Sequence, residues 1–383
     1  MKHITVAVDS FKGSLTSFQV ACAVEKGFKK VFPDCVVNKV SIADGGEGTV
    51  DALVQTLAGE YVDVMVADPL MRPIQARYGV IENGKTAVME MSAASGLPLL
   101  LESERNPLKT TTYGTGEMIA HALKHGCRDF LIGIGGSATN DAGVGMLRAL
   151  GYKFFDRDGK LLHGGGEILE HIAVIDSDNV MPELKEAKFT VACDVTNPLY
   201  GPNGAAYIFA PQKGATPKMV EQLDLGLKNF AQVVQRHLGV DISELPGAGA
   251  AGGLGGALKA FLGATLERGI EMVLNAMNFR QIISDSELVI TGEGRLDKQT
   301  VMGKAPSGVM QVASSIGIPT IAIGGAIKDC PELRESGFAA MFPIVAMPTS
   351  LESAMEYSVA MDNVERTTEQ IAKLIKLGKK LAV

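Results

Sequence analysis

The sequence predicts an α/β protein in which one doubly wound domain is made from both chain ends and a second, mixed α/β domain is inserted. Three observations predict it. Strand-like apolar runs alternate with helical periods at both ends of the chain. A middle stretch alternates apolar and polar residues, the period of antiparallel strands. Five apolar runs end in a carboxylate, usually beside glycine: HITVAVDS, VNKVSIADGGEG, DFLIGIGGSATND, FTVACDVTN and ELVITGEGRLD. These runs deliver Asp9, Asp44, Asp141, Asp194, and the pair Glu293 and Asp297. Ligands bind at the carboxyl ends of strands in open α/β sheets. Five such junctions point to one acidic, glycine-lined site.

The N-terminal elements read β-α-β-α. Strand ITVAV leads to a helix from about Ser17 to Val31, with Ser14 or Ser17 as its cap. Strand VVNKVSI and a helix from about Glu47 to Ala58 follow. From Tyr61 the runs YVDVMVAD, IQARYGVI and TAVMEM read as antiparallel strands, with DPLMRP as a hinge. A helix from about Thr115 to Lys124 precedes strand DFLIGI. A long amphipathic helix from about Pro217 to His237 follows strand FTVAC. Strand ELVIT, a helix from about Ala305 to Ser315, strands PTIAIGG and AAMFPIV, and a helix from about Ser353 to Lys376 restore the β-α-β order. The domains are accordingly 1–67 with 284–383, and 68–283 inserted. Two sequential domains split near Gly239 are the alternative.

With 383 residues, two domains are the default. A net charge of −7 argues against nucleic acid as a partner. MKHITVAVDS enters a strand with no signal-peptide pattern, and the most apolar stretch carries Lys259 and many glycines, unlike a membrane span. The five cysteines lack zinc spacing and read as reduced thiols of a cytoplasmic protein. Oligomeric state stays open, a homo-oligomer included.

Two motif matches fail on context. GVIENGKT fits the P-loop spacing, but AVMEM after it is a strand, so Asn83-Gly84 reads as a two-residue hairpin turn. GAGAAG fits the dinucleotide fingerprint, yet it follows SELP rather than a strand. Its glycines Gly249, Gly252 and Gly253 are either a nucleotide contact or a tightly packed loop.

Other segments carry chemistry. DSFKGS places Ser10 and the cation Lys12 directly after the first strand. ADGGEGT offers Asp44 as a metal ligand or helix cap. GIGGSATNDAG is the best anion cradle, with Gly135, Gly136, Ser137, Thr139 and Asn140 between strand and helix. TTTYGTGE binds an anion or caps its helix through Thr112 or Thr115. CDVTNPLYGPNGAA contributes Asp194 and Asn197, and TGEGRLDKQTVMGKAP contributes Glu293, Arg295 and Asp297. Carboxylates gathered with cations on glycine loops suit a phosphoryl group held by Mg²⁺.

These segments, with NPLKTTTYGTGE, PQKGA and PGAGAAGGLGG, occur in an order that resembles the bacterial glycerate kinases of the first type, across nearly the whole chain. The resemblance implies ATP-dependent phosphorylation of glycerate with Mg²⁺, 2-phosphoglycerate being favoured. It also implies that the domain made from both chain ends is flavodoxin-like. By it, Lys12 and Arg295 neutralise phosphate charge, and Asp44, Asp194 and Asp297 are candidates for metal and base. Gly135 to Asn140 cradle a phosphate or carboxylate, and Arg72 is a carboxylate clamp or a plain hinge charge. Ala142 stands where glycine is expected. Two rival readings remain: a non-catalytic sensor of an acidic metabolite in an interdomain cleft, and a dehydrogenase using GAGAAG.

Overall fold

The computed structural model describes residues 1–381. It is α/β, and the chain divides into two compact units. One comprises Met1–Asp44, Asp51–Thr56 and the chain from Val273 on; the other comprises Gly45–Val50 and Leu57–Met272.

The first unit holds a five-stranded parallel sheet ordered Val36–Ser41, His3–Val8, Leu288–Leu296, Thr320–Ile327, Ala340–Pro343. In chain order this is 2-1-3-4-5, the flavodoxin-like arrangement. The first strand is central, which explains why ITVAV is apolar without alternation: every residue from Ile4 to Val8 is buried. The helices Ser17–Lys29 and Tyr357–Leu381 pack on each other and share one core. Val20, Val24 and Phe28 from the first, and Val364 and Ile371 from the second, are fully buried there. Such burial stabilises by about 1.5–3 kcal/mol per large side chain.

The first helix is capped by Thr16, not by Ser14 or Ser17. Its hydroxyl accepts from the Gln19 amide at 3.3 Å, and the Gln19 side chain accepts from the Thr16 amide at 2.9 Å. Both serines are committed elsewhere: Ser14 donates to the Met355 carbonyl at 2.8 Å, Ser17 to that of Val8 at 2.6 Å.

The second unit holds a six-stranded mixed sheet: Thr265–Glu267, Lys188–Ala192, Asp129–Gly133, Thr86–Glu90, Pro73–Ile81, Glu60–Ala67. The last two pairings are antiparallel and the rest parallel. Thr86–Glu90 is the seam between the two modes, so TAVME is buried through its first four residues. Phe130 and Phe189 stack at 4.7 Å between neighbouring strands in this unit's own core.

Several local expectations are corrected. Residues 45–50 and 57–67 fall in the second unit and 273–283 in the first, and Glu60–Ala67 pairs along its full length with Pro73–Ile81. DPLMRP is therefore a hairpin turn rather than a hinge. The Asp68 carboxylate closes it by accepting from the amides of Leu70 and Arg72 at 2.8 and 2.9 Å. The Asn83-Gly84 connection spans four residues, since Ile81 pairs with Thr86. The closing helix is two, Leu351–Met355 and Tyr357–Leu381, broken at Glu356, whose ψ is 134°. No described helix is long and apolar enough to cross a membrane.

Candidate functional site

The carboxyl ends of the parallel strands in the first unit open on a pocket of about 690 Å³. After His3–Val8 the chain turns tightly: the Phe11 amide donates to the Leu15 carbonyl at 2.9 Å, and the Ser14 amide to Phe11 at 2.8 Å. This turn presents Asp9, Ser10 and Lys12 to the pocket. Asp44 arrives just past the second strand, and Glu293 and Arg295 from the third. That third strand runs on past Thr291 to Leu296, because Glu293, Arg295 and Leu296 keep pairing with Gly324, Ala326 and Ile327. Glu293 thus sits within a strand, not in the loop after it.

Asp9 is 5% exposed and accepts a 2.6 Å bond from the Ser10 amide. Burial is the main cause that pushes its pKa up to about 6, and the Asp44 charge adds to it; the Ser10 bond and Lys12 oppose. Glu293, 7% exposed, accepts from the Thr300 hydroxyl at 2.6 Å and faces Lys304 Nζ at 3.7 Å. Burial raises its pKa as well, against the lowering bond from Thr300 and the charge of Lys304. Three cations, Lys12, Arg295 and Lys304, stand among these acids. The lining also holds apolar side chains: Ile344, Val345, Leu351, Ala354 and Met355. Such a pocket accepts an anion or metal–anion pair together with a flat apolar body.

The other nominated residues are not among its lining. Asp297 is outside the lining. It accepts from the Gln299 amide at 2.8 Å and pairs with Arg295 Nε at 3.4 Å, so it orients that arginine. Asp194 belongs to the second unit, where its carboxylate accepts from the Gly269 amide at the start of helix Gly269–Ala276, at 3.0 Å. The Asn197 side chain donates to the Asn203 carbonyl at 2.8 Å. Arg72 is held by Asp68 and Glu104, each at 2.6 Å, which raises its pKa further.

In the loop after strand Asp129–Gly133, Gly135 and Gly136 are exposed while Ser137, Thr139 and Asn140 are buried. Asp141 is no ligand-facing acid. It is fully buried and accepts from Thr111 and Thr112 hydroxyls and the amides of Thr112, Gly143 and Gly145, between 2.8 and 3.2 Å. Thr112 and Thr115 accordingly do not cap their helix: Thr115 shares a 2.8 Å bond with Ser95.

The GAGAAG glycines serve packing. A Cβ on Gly249 would overlap the Pro198 carbonyl, and one on Gly252 the Thr139 carbonyl. Gly252 also has φ +70°, and its carbonyl accepts from the Ala142 amide at 3.0 Å. Ala142 itself has φ 50°, which is why glycine is expected there. With these glycines buried against their own unit's backbone, the dehydrogenase reading has no cofactor face.

The sequence profile of the glycerate kinase family matches residues 4–376. The chain belongs to the glycerate kinase family. Membership makes it a phosphotransferase that phosphorylates glycerate at the expense of ATP, which removes the sensor reading. The glycerate kinase of Bacillus subtilis (strain 168) is 48% identical, over 98% of each chain. The glycerate 2-kinase of Escherichia coli (strain K12) is 46% identical, again over 98% of each. A solved structure, "putative glycerate kinase 2 from Salmonella typhimurium LT2", superposes with a TM-score of 0.91 at 45% identity, covering 99% of both chains.

Asp9 and Lys304 also line the pocket. Both stand in segments that the sequence singles out, Asp9 at a strand end and Lys304 in TGEGRLDKQTVMGKAP, but neither carries an assigned role there. The apolar part of the lining had no signal, because AMFPIV and the helix after it read as ordinary core.

Proposed function

We propose that the first unit's pocket takes Mg²⁺-bound ATP and that the γ-phosphoryl group passes to the 2-hydroxyl of glycerate. The observation that carries this is a single pocket lined both by acids and cations and by apolar side chains. A three-carbon acid fills only a small part of a 690 Å³ cavity, whereas a nucleoside triphosphate uses both kinds of lining. Lys12, Arg295 and Lys304 neutralise phosphate oxygens as charge shifts in the transition state. Glu293 holds Lys304 in place, and Asp297 holds Arg295. The Gly135–Asn140 loop cradles an anionic group of the substrate, with Gly135 and Gly136 as its open edge.

Asp9 and Asp44 fit Mg²⁺. They are hard oxygen donors that repel each other, and Asp9 has only the Ser10 amide as hydrogen-bond partner among the described residues. Mg²⁺ takes one or two carboxylates plus substrate phosphates, so a cage of protein ligands is not needed. When bound, the ion would offset phosphate charge as a Lewis acid. The name of the Escherichia coli relative, glycerate 2-kinase, supports the 2-hydroxyl. Five free cysteines support a reducing compartment, the cytoplasm.

The test is to incubate the protein with ATP, D-glycerate and Mg²⁺ and to follow ADP release and the phosphorus NMR spectrum. ADP release that depends on glycerate and Mg²⁺, with the resonance of 2-phosphoglycerate, is expected. Glycerate-independent turnover would remove the substrate assignment, and a 3-phosphoglycerate resonance would remove the position.

A further inference from the structure

Lys213 is the most deeply buried cation in the described chain, 1% exposed, in the short turn Pro211–Lys213 of the second unit. Its ammonium donates to the Ser137 hydroxyl and to the Thr139 carbonyl, both at 2.7 Å. Among the described residues no carboxylate is bonded to it. The acid whose charge it feels is Asp141, and that carboxylate is already saturated by five donors. Burial accordingly lowers the Lys213 pKa to about 7.

The loop it touches is also incomplete. The Thr139 hydroxyl and both ends of the Asn140 carboxamide are buried without any hydrogen-bond partner. Orphaned polar atoms of this kind are rare, and each costs about 1–3 kcal/mol. A methionine would fill the same space as Lys213 without the desolvation cost. A buried cation, an amide and a hydroxyl, all short of partners, are therefore gathered on one loop whose edge, Gly135 and Gly136, is exposed. The donors among them, Asn140 Nδ2 and the Thr139 hydroxyl, lack an acceptor such as an anionic oxygen. The packing behind them is rigid: Gly252 and Gly253 close directly on Thr139, Asn140 and Ala142.

We propose that Lys213 is a positioning residue for the reaction. By fixing Ser137 and the Thr139 carbonyl, it shapes the Gly135–Asn140 loop to receive a carboxylate or phosphate oxygen; since the phosphates are assigned to Lys12, Arg295 and Lys304 of the first unit's pocket, the carboxylate of glycerate is the anion assigned to the loop. The ammonium also places a positive charge behind the loop, where it attracts the anion without contacting it. This rests on the reading above that the loop cradles a substrate anion.

Steady-state kinetics of the full-length enzyme test it, with glycerate and ATP varied separately. Lys213→Met is expected to raise the KM for glycerate at least tenfold, with the KM for ATP within threefold of wild type and kcat little changed. Ser137→Ala removes one of the lysine's contacts without touching its burial, and is expected to raise the glycerate KM about threefold. It keeps the test open should Lys213→Met unfold, which circular dichroism reports. A rise in the ATP KM instead would keep Lys213 as a positioning residue but overturn the carboxylate in favour of a nucleotide phosphate. Folded variants with both KM values within twofold of wild type would overturn the proposal. Asn140→Ala separates the two layers: if it raises the glycerate KM while the Lys213 and Ser137 variants do not, the loop reading stands and only the role of Lys213 falls. If Asn140→Ala is also silent, the loop reading itself has failed.

Discussion

Asp9 carries a cost that the folded protein bears for function. Its pKa is raised from 3.8 to about 6, so ionising it is harder in the folded state than in the unfolded chain. The penalty is absent below pH 3.8, grows as pH rises towards 6, and is complete above that. It amounts to roughly 3 kcal/mol. Asp9→Asn should therefore stabilise the ligand-free protein by about 1–3 kcal/mol at pH 8 and leave it nearly unchanged at pH 4, while activity collapses. Urea unfolding at the two pH values checks the difference; equal shifts at both would contradict it. Lys12→Ala should cut kcat by at least about a hundredfold, near 2.7 kcal/mol, because a transition-state charge partner is lost. Asp297→Asn should cost about tenfold or less, since Asp297 acts only through Arg295 at 3.4 Å. If Asp297→Asn proves as damaging as Lys12→Ala, Asp297 has a direct role that the geometry does not give it. At this scale a charge ending an apolar strand was legible as such, but not its place: Asp9 and Asp44 line the pocket, whereas Asp194, read the same way, accepts from the Gly269 amide in the second unit. The sequence was silent on Lys213, because a lysine between Pro-Gln and Gly reads as a surface residue. Only the enclosing backbone turns it into a buried cation.

Elements were legible to the extent that local chemistry decided them. Continuous apolar runs predicted the parallel strands, and alternation predicted the antiparallel pair. Long-range pairing decided the rest: the third strand continues through Gly-Glu-Gly-Arg only because the fourth strand also continues through Gly-Gly-Ala-Ile beside it. Two loops with nucleotide-like spacing show the same lesson from opposite sides. Lys85 is exposed at the end of a hairpin connection, so Lys85→Ala should leave kcat/KM within about twofold, and a tenfold loss would reinstate the P-loop reading. Gly252 is different. It adopts φ +70° and has backbone directly where a Cβ would go. Gly252→Ala should destabilise by at least about 2 kcal/mol and displace the Thr139–Ala142 segment. Thermal unfolding would register the loss, and a variant as stable as wild type would show that the turn has slack.

At the scale of the whole molecule, the two units differ in how the chain closes them. The first strand, His3–Val8, lies between Val36–Ser41 and Leu288–Leu296, so the first unit's sheet joins segments nearly three hundred residues apart in the sequence. Its core draws on both ends, from Ile4 to Cys35 and from Leu288 to Ala372. The second unit is almost continuous in sequence, and its core runs from Val66 to Ala264. A chain cut after Met272 keeps every buried residue of the second core and loses the strands that sandwich His3–Val8 on one side. Pairing at such separation incurs a large loop-closure entropy before any contact repays it, which makes the first sheet the late-forming one. A fragment of residues 45–272 should therefore unfold cooperatively in urea, with near-native circular dichroism. In the fragment 1–272, the residues before Asp44 should exchange their amide hydrogens at nearly unfolded rates. Hydrogen exchange read by mass spectrometry decides the matter: strong protection of His3–Val8 in that fragment would mean that the strand finds a partner without the C-terminal half of its sheet.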